Sequence, residues 1–270
     1  MTAYQLKTAY TAVYRNVYVP RGQALTPVDK AIAAWLWSGR RGIVVGVSAA
    51  ALHGSLWLGA DLPAEINQRN RHKTKGIVLH SDRLADDEMC MVRGIPVTTP
   101  ARTAYDLGRC PGLETAVVRL DALMQATHLQ AIDVSVLADR HRGTRGIKQL
   151  REAITLSDAG AESPQETRTR LVLTHAGLRP KRTQIEVFDP FGVFVRRIDM
   201  GWDDWKVGVE YDGEQHWTDP GIRAHDIEWQ AQLEALGWRI IRVGAELLRY
   251  RKHILVERVR DALRAAGAPV

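Results

Sequence analysis

The first part of the chain alternates short apolar runs with turn residues, a pattern that predicts short strands and helices. Alternating valines at 13, 17 and 19 predict a strand over 12–20. Other elements follow from apolar runs and capping residues: a helix over 28–37, a short helix capped by Ser48, strands around 76–80 and 94–97, and a helix that Thr99 caps and Pro100 opens. Two or three more helices are expected before position 155, giving a small α+β domain.

The order of elements changes after a turn-rich segment at 156–164. Ser163 and Glu166 form a capping-box pattern that starts a helix ending near Gly177. Strand-like runs lie at 184–189, 193–200, 206–212 and 238–243, with a helix over 223–236 before the last of them and further helices to about 266. The order α-β-β-β-α-β-α predicts a mixed α/β domain with a central sheet flanked by helices. We therefore expect two domains, 1–156 and 160–270.

The basic excess of the chain is confined to its first part. Of 37 Lys and Arg residues, 20 precede Ala161, against 14 of the 31 Asp and Glu residues. The first domain therefore carries the whole net charge of +6, and the second domain is balanced. A basic domain favours a polyanionic partner, because bound phosphates release counterions.

Membrane and secreted classes are disfavoured. The longest nearly apolar run, 43–52, is about half the length that a membrane helix needs. The first ten residues lack the apolar stretch of a secretion signal. The two cysteines, Cys90 and Cys110, have neither a disulfide-framework nor a metal-site spacing. We expect a cytoplasmic protein without a membrane partner.

Carboxylates concentrate on two strands of the second domain. If the hairpin turns at 204–205, Asp199 lies directly across from Glu210, and Asp212 shares the face of Glu210. Carboxylates opposite one another repel, and a hard divalent cation would compensate them. His216 follows within reach of a metal-bound water.

A purely structural interpretation also fits these acids. Asp199 could pair with Arg197 or Arg242, and Glu210 with Arg239 or Arg196. Glu166 is likewise explained by closing the capping box with Ser163. Both interpretations stay open at this point.

The second domain resembles the PD-(D/E)xK nuclease superfamily, most of all relatives of the very-short-patch-repair endonuclease. The resemblance covers about 160–267 and is carried by Arg-Ile-Asp at 197–199, Val-Glu-Tyr-Asp-Gly-Glu-Gln-His at 209–216, and Gly-Trp-Arg-Ile-Ile-Arg at 237–242. It implies a restriction-endonuclease-like fold and Mg²⁺ (or Mn²⁺) as cofactor. The implied ligands are Asp199, Glu210 and the Tyr211 carbonyl, with Glu166 as an outer acid.

Two positions depart from the pattern of that superfamily. Asp212 stands where its lysine is expected. The repair-endonuclease branch also lacks this lysine and uses histidine, so His216 is the candidate proton-transfer group, with Asp212 as the alternative. Trp229 stands where many relatives carry a basic residue, which either weakens DNA contact or packs the helix.

The first domain resembles antitoxins of type IV toxin–antitoxin systems of the abortive-infection class. The resemblance lies in Ser-Ala-Ala-Ala-Leu-His-Gly at 48–54 and Gly-Ile-Pro-Val-Thr-Thr-Pro-Ala-Arg-Thr-Ala-Tyr-Asp-Leu at 94–107. It implies DNA binding and, if it extends to function, a cognate toxin as partner. Only a wing-like segment at 13–20 precedes it, so we do not expect a full helix-turn-helix. His53 is expected to be a packed residue.

Two basic clusters are candidates for phosphate contacts, and each could equally be a solvated surface. The first comprises Arg69, Arg71, Lys73 and Lys75; the second comprises Arg140, Arg142, Arg145, Lys148 and Arg151. We expect a metal-dependent DNA endonuclease of repair or defence. The alternative is a non-catalytic, antitoxin-like DNA-binding regulator. RNA as substrate and a homodimer are left open.

Overall fold

The computed structural model describes residues 3–69, 74–213 and 220–270. The chain divides into two compact units, Met1–Ala159 and Gly160–Val270, and the division falls inside the turn-rich segment at 156–164. Both units contain helices and sheets, so the architecture is mixed α/β. No helix of the described residues is both long and apolar enough to cross a membrane.

The amino-terminal unit contains a hairpin, a five-stranded sheet and a group of helices. Its helices are α1 (Ala3–Ala9), α2 (Pro27–Trp37), α3 (Gly46–Leu52), α4 (Pro100–Arg109), α5 (Leu113–Thr127), α6 (Ala131–Arg140) and α7 (Ile147–Leu156). Its strands are β1 (Tyr10–Tyr14), β2 (Val17–Pro20), β3 (Ile43–Val44), β4 (Ala64–Asn67), β5 (Ile77–His80), β6 (Met89–Val92) and β7 (Ile95–Thr98). Strands β1 and β2 form the hairpin, and the sheet has the order β5-β4-β3-β7-β6.

The single strand expected over 12–20 is wrong. Two antiparallel strands, β1 and β2, occupy this segment, and Asn16 at the turn has φ +64°. Asparagine tolerates this left-handed conformation better than most residues, so the chain can reverse there. The reversal lets Tyr14 and Val17 both enter the core of the unit, which a single extended strand would not do.

Helix α3 begins two residues earlier than Ser48 and is capped differently from our expectation. Its N-terminus is bound by Glu65 of β4, whose Oε1 accepts from the Val47 amide at 3.0 Å. The Ser48 hydroxyl instead accepts from the Glu65 amide at 2.9 Å. A neighbouring strand thus supplies the cap, which local sequence does not reveal. His53 ends the helix and its Nε2 lies 2.7 Å from the Thr98 carbonyl oxygen, so the imidazole is packed, as expected.

Helix α4 starts as predicted: Thr99 caps it and Pro100 is its first residue. The helix carries Arg102, which is 3% exposed and forms ion pairs with Glu88 and Asp106. A buried charge of this kind is tolerated because it is paired. These pairs join helix α4 to the segment that leads into β6.

The carboxyl-terminal unit is built around a four-stranded sheet. Its strands are β8 (Arg182–Phe188), β9 (Phe194–Trp202), β10 (Val207–Asp212) and β11 (Arg239–Gly244), and its helices are α8 (Pro164–His175), α9 (Pro220–Ala235), α10 (Ala245–Tyr250) and α11 (Lys252–Ala265). The sheet order is β11-β10-β9-β8. Strand β10 pairs antiparallel with β9 and parallel with β11, so the sheet is mixed. The predicted sheet flanked by helices is confirmed.

Each face of this sheet carries its own apolar cluster. Leu173 of α8 and Leu255 of α11 pack with Val209 and Val243 on one face. Leu233 of α9 packs with Ile185, Val187, Ile198 and Trp238 in a second cluster. Helices thus pack on both faces of the sheet, and the predicted acids Asp199 and Glu210 lie within β9 and β10.

Candidate active site

Strands β9 and β10 separate at the predicted acidic pair. Their paired residues end with Met200 opposite Val209, so Asp199 and Glu210 are the next residues along each strand. Beyond this pair, the Tyr211 amide donates a hydrogen bond to Asp199 Oδ2 at 2.7 Å. The side chain of Asp199 therefore bridges the two strands where the regular ladder ends.

Asp199 is a buried acid in a negatively charged environment. Burial, together with the negative charges of Glu166 and Glu210, raises the pKa of Asp199 to about 7. The Tyr211 amide and the Arg196 guanidinium oppose this rise in pKa without cancelling it. The arginine partners considered for it, Arg197 and Arg242, pair with other acids: Glu162 at 2.6 Å and Asp212 at 3.8 Å. Burial and the neighbouring carboxylates therefore favour the protonated form of Asp199.

Glu166 occupies the first turn of α8 and is held by hydrogen bonds. Its Oε1 accepts from the Ser163 hydroxyl at 2.8 Å, and its Oε2 accepts from the Glu162 amide at 2.9 Å and from Gln184 Nε2 at 3.1 Å. Burial raises the pKa of Glu166, and the hydrogen bonds from the Glu162 amide and the Ser163 hydroxyl work against the rise. The predicted capping box is only half formed: the Ser163 hydroxyl accepts from the Glu166 amide at 3.2 Å, but the Glu166 carboxylate accepts from the Glu162 amide instead of the Ser163 amide. The same carboxylate also acts electrostatically on Asp199, so the two interpretations of Glu166 coexist.

Glu210 has a resident counter-charge. The Arg196 Nε donates to Glu210 Oε1 at 2.9 Å, and Arg196 Nη2 donates to Glu210 Oε2 at 3.1 Å. Trp229 of α9 stacks on Arg196, with the guanidinium carbon 4.9 Å from the ring centre. Trp229 thus packs against the arginine that holds Glu210. Of the structural partners considered for Glu210, Arg196 is the one observed here.

Asp212 lies near the end of β10, with its Oδ2 3.8 Å from Nη1 of Arg242 on β11. The Asp212 side chain is 16% exposed, so solvent reaches it only in part. His216, the other candidate for proton transfer, lies outside the described residues.

The predicted metal ligands can be compared with the ligands that a divalent cation prefers. In the part of the chain that the structure describes, no three His, Cys, Asp or Glu side chains are arranged to hold a metal ion. The predicted set needs only two such side chains, Asp199 and Glu210, plus the Tyr211 carbonyl. All three donors are oxygens, which hard cations such as Mg²⁺ prefer. The set suits Mg²⁺ or Mn²⁺, with Arg196 as the group that competes for Glu210.

A cleft of about 540 Å³ opens beside Glu210, between α9, the edge strand β11 and α11. Four arginines line it, namely Arg196, Arg239, Arg242 and Arg258. The sequence analysis named three of them only as ion-pair partners and missed Arg258, because the turns of α11 that approach β11 are not apparent from local patterns. Guanidinium groups are suited to binding phosphate, although Arg196 and Arg242 also pair with Glu210 and Asp212.

The two basic clusters of the amino-terminal unit differ in their environments. Arg69 follows β4 and Lys75 precedes β5, and since these strands are parallel the two residues lie at opposite ends of the pair. Arg71 and Lys73 lie outside the described residues. The two described members of the first cluster, Arg69 and Lys75, are therefore not at the same edge of the sheet.

Acidic neighbours neutralise much of the second basic cluster. Arg140 pairs with Asp87, and Arg142 and Arg151 both approach Asp139, at 3.8 and 2.8 Å. The remaining members, Arg145 and Lys148, lie just before and at the start of α7. This cluster has less unpaired charge than its sequence suggests.

Comparison with known proteins gives no functional name. The chain is similar to uncharacterized protein MT2308 of Mycobacterium tuberculosis strain CDC 1551 / Oshkosh and to uncharacterized protein Rv2248 of strain ATCC 25618 / H37Rv. Each is 28% identical over 197 residues, which span 72% of this chain and 72% of the relative. No family model matches the chain, and no solved structure matches it significantly.

Proposed function

We propose that the carboxyl-terminal unit is a Mg²⁺- or Mn²⁺-dependent DNA endonuclease. The observation that carries the proposal is Asp199, a buried carboxyl whose pKa is raised to about 7 by burial and by Glu166 and Glu210. Stability alone does not favour such an acid, because its ionised form is costly to bury beside other carboxylates. Strongly perturbed acids of this kind concentrate at functional sites. The resemblance of 160–267 to PD-(D/E)xK nucleases supports the same reaction.

In this proposal Asp199, Glu210 and the Tyr211 carbonyl would hold a divalent cation. Such a cation, when bound, would polarise the phosphoryl oxygen and lower the pKa of an attacking water. Glu166 remains fixed by its three hydrogen bonds and sets the charge around Asp199. His216 or Asp212 accepts the proton of the nucleophile.

The arginine-lined cleft beside Glu210 would bind the phosphates that flank the scissile one. Arg239 and Arg258 are exposed and line this cleft. Guanidinium groups fit phosphate oxygens in pairs, so they would orient the backbone relative to the carboxylates. A nuclease with a DNA substrate would act in the cytoplasm, in a repair or defence role.

The test is a cleavage assay with the full chain on supercoiled plasmid, nicked and mismatched duplex, and single-stranded DNA and RNA. Cleavage is expected with Mg²⁺ or Mn²⁺ and not with EDTA. Glu210→Gln should abolish it while preserving the fold, and Glu186→Gln, an exposed glutamate on β8, is the matched control. Absence of cleavage on all of these substrates with both metals would reject the enzyme.

A non-catalytic regulator is the second candidate, and one observation favours it. Arg196 already neutralises Glu210 through both oxygens, so the fold can retain this acid without a metal. In that case the unit would be a DNA-binding platform, and the antitoxin-like amino-terminal unit would bind DNA and a cognate toxin. DNA binding that is unaffected by Mg²⁺, by Glu210→Gln and by Asp199→Asn, together with no cleavage, would favour the regulator.

A further inference from the structure

We propose that the amino-terminal unit binds a phosphate-bearing ligand in a groove formed by Arg41, Asn67, Arg69 and Arg83, here called the arginine groove. The groove has a volume of about 1110 Å³ and is also lined by Gln68 and Ser81. This site is separate from the carboxylates of the other unit and does not depend on whether that unit cleaves DNA.

Strand topology explains why these residues meet. Strands β4 and β5 are parallel and end together, with Asn67 opposite His80. The chain therefore leaves both strands at the same edge of the sheet, carrying Arg69 and Arg83 there. Strand β3 runs antiparallel to β4, with Ile43 opposite Asn67, so the segment before β3 brings Arg41 to the same edge. Ligands of α/β proteins commonly bind at the carboxyl ends of parallel strands.

The charges of the groove are not balanced by its own residues. Arg41, Arg69 and Arg83 are exposed, and none of them forms an ion pair with a residue that the structure describes. The acid that lines the groove, Asp82, instead approaches Arg102, at 3.7 Å. Three guanidinium groups that line one groove repel one another, and a phosphate group bound among them relieves this repulsion.

Asn67 adds a polar group on one side of the groove. It is 8% exposed, and its Nδ2 donates to the Asp82 carbonyl at 2.9 Å. Its Oδ1 has no hydrogen-bond partner among the described residues. A buried acceptor without a donor is energetically unfavourable. A ligand that carries hydroxyl or amino donors beside its phosphate, as nucleotides and nucleic acids do, would supply the missing donor.

The contrast with the second basic cluster supports this assignment. There, Arg140 and Arg151 pair with Asp87 and Asp139. Paired surface arginines gain little by binding phosphate, because the existing partner must be released first. The arginine groove offers three guanidinium groups without such partners in the described part of the chain.

The test measures binding by the full chain in EDTA, so that cleavage cannot occur. The probes are a fluorescein-labelled 12-nucleotide single strand and the corresponding duplex. Their binding is measured by fluorescence anisotropy over a range of salt concentrations. ATP and inorganic phosphate serve as unlabelled competitors. The variants are Arg41→Ala with Arg83→Ala, Asn67→Asp, and the control Arg15→Ala, an exposed arginine of the β1–β2 turn outside the groove.

The double variant should weaken binding at least tenfold at low salt. It should also reduce the slope of log affinity against log salt by about 0.7–0.9 for each phosphate that the protein no longer neutralises. Asn67→Asp should also weaken binding, and Arg15→Ala should stay within twofold of wild type. Displacement of the labelled DNA by millimolar ATP or phosphate would identify a small phosphate compound as the ligand. Displacement by unlabelled DNA alone would identify nucleic acid.

Unchanged affinity and salt slope in a folded Arg41→Ala, Arg83→Ala variant, with no competition by ATP or phosphate, would overturn the proposal. Repeating the measurements in Glu210→Gln protein separates this result from a failure of the nuclease hypothesis. The groove should bind equally in both backgrounds, whereas cleavage should be lost in the Glu210→Gln background.

Discussion

The guanidinium of Arg196 binds both carboxylate oxygens of Glu210, with Nε 2.9 Å from Oε1 and Nη2 3.1 Å from Oε2. The Trp229 ring packs against this guanidinium, with the ring centre 4.9 Å from the guanidinium carbon. The arginine therefore neutralises a nearly buried acid and is itself held by an aromatic ring. Any cation that binds Glu210 must share its carboxylate with Arg196 or displace Arg196 from it. Substitution of Arg196 is therefore a way to test metal affinity.

Arg196→Met should make the protein less stable and more responsive to metal. The substitution leaves Glu210 without its counter-charge, and we expect a loss of about 2 kcal/mol, below the 3–5 kcal/mol of a fully buried pair because Arg196 is 24% exposed. Mn²⁺ should then raise the melting temperature more than it does in wild type, since the cation replaces the missing charge. Arg197→Met, at an exposed ion pair with Glu162, is the control. An identical Mn²⁺ response in all three proteins would contradict a cation at Glu210.

Asp199→Asn should stabilise the protein at pH 8 and have little effect at pH 4. The pKa of Asp199 is about 7 in the folded protein, against about 3.9 for an unfolded aspartate. Between these values the folded state binds more protons, so wild-type stability falls as pH rises from about 4 to 7 and levels off above. Asparagine keeps an oxygen for the Tyr211 amide and removes the titration.

Urea unfolding of both proteins at pH 4, 6 and 8 without metal measures this difference. The variant should gain stability over wild type by up to a few kcal/mol as pH rises. A difference that stays constant over this range would mean that Asp199 is not the titrating group.

His216→Ala should slow cleavage by about 10²–10⁴-fold if His216 transfers the proton, with DNA affinity unchanged. Asp212→Asn is the paired experiment, because Asp212 is the alternative proton acceptor. Single-turnover rates over pH 5 to 9 distinguish the two, since loss of the proton acceptor removes a limb of the pH profile. A wild-type rate in His216→Ala would assign the role to Asp212.

Arg102→Met should destabilise the amino-terminal unit far more than Arg140→Met. Arg102 is 3% exposed and pairs with Glu88, which is buried to the same degree. Losing one partner of a buried pair costs about 3–5 kcal/mol. Arg140 pairs with Asp87 at the surface, where solvent screens the charges and such pairs contribute little to stability. Chemical denaturation of both variants checks this, and equal losses would show that the Arg102 network is not a stabilising core element.

The sequence by itself determined the features that depend on local chemistry. Thr99 and Pro100 predicted the start of α4, Ser163 and Glu166 predicted the start of α8, and the apolar runs of the second part predicted its mixed sheet. These signals are local because a capping side chain and its amide lie within three residues of each other. The predicted register also brought Asp199 and Glu210 to neighbouring positions at the end of the β9–β10 ladder.

Tertiary structure decided what depends on residues far apart in the chain. The choice of Arg196 for Glu210, the cap of α3 by Glu65 and the meeting of Arg41, Arg69 and Arg83 all join segments from different elements. Sequence spacing can say which residues share a strand face, but not which of several nearby arginines reaches an acid. Parallel pairing of β4 and β5 also separated Arg69 from Lys75, although they are close in sequence. Strand direction is set by packing of the whole unit, and packing is not encoded in any single segment.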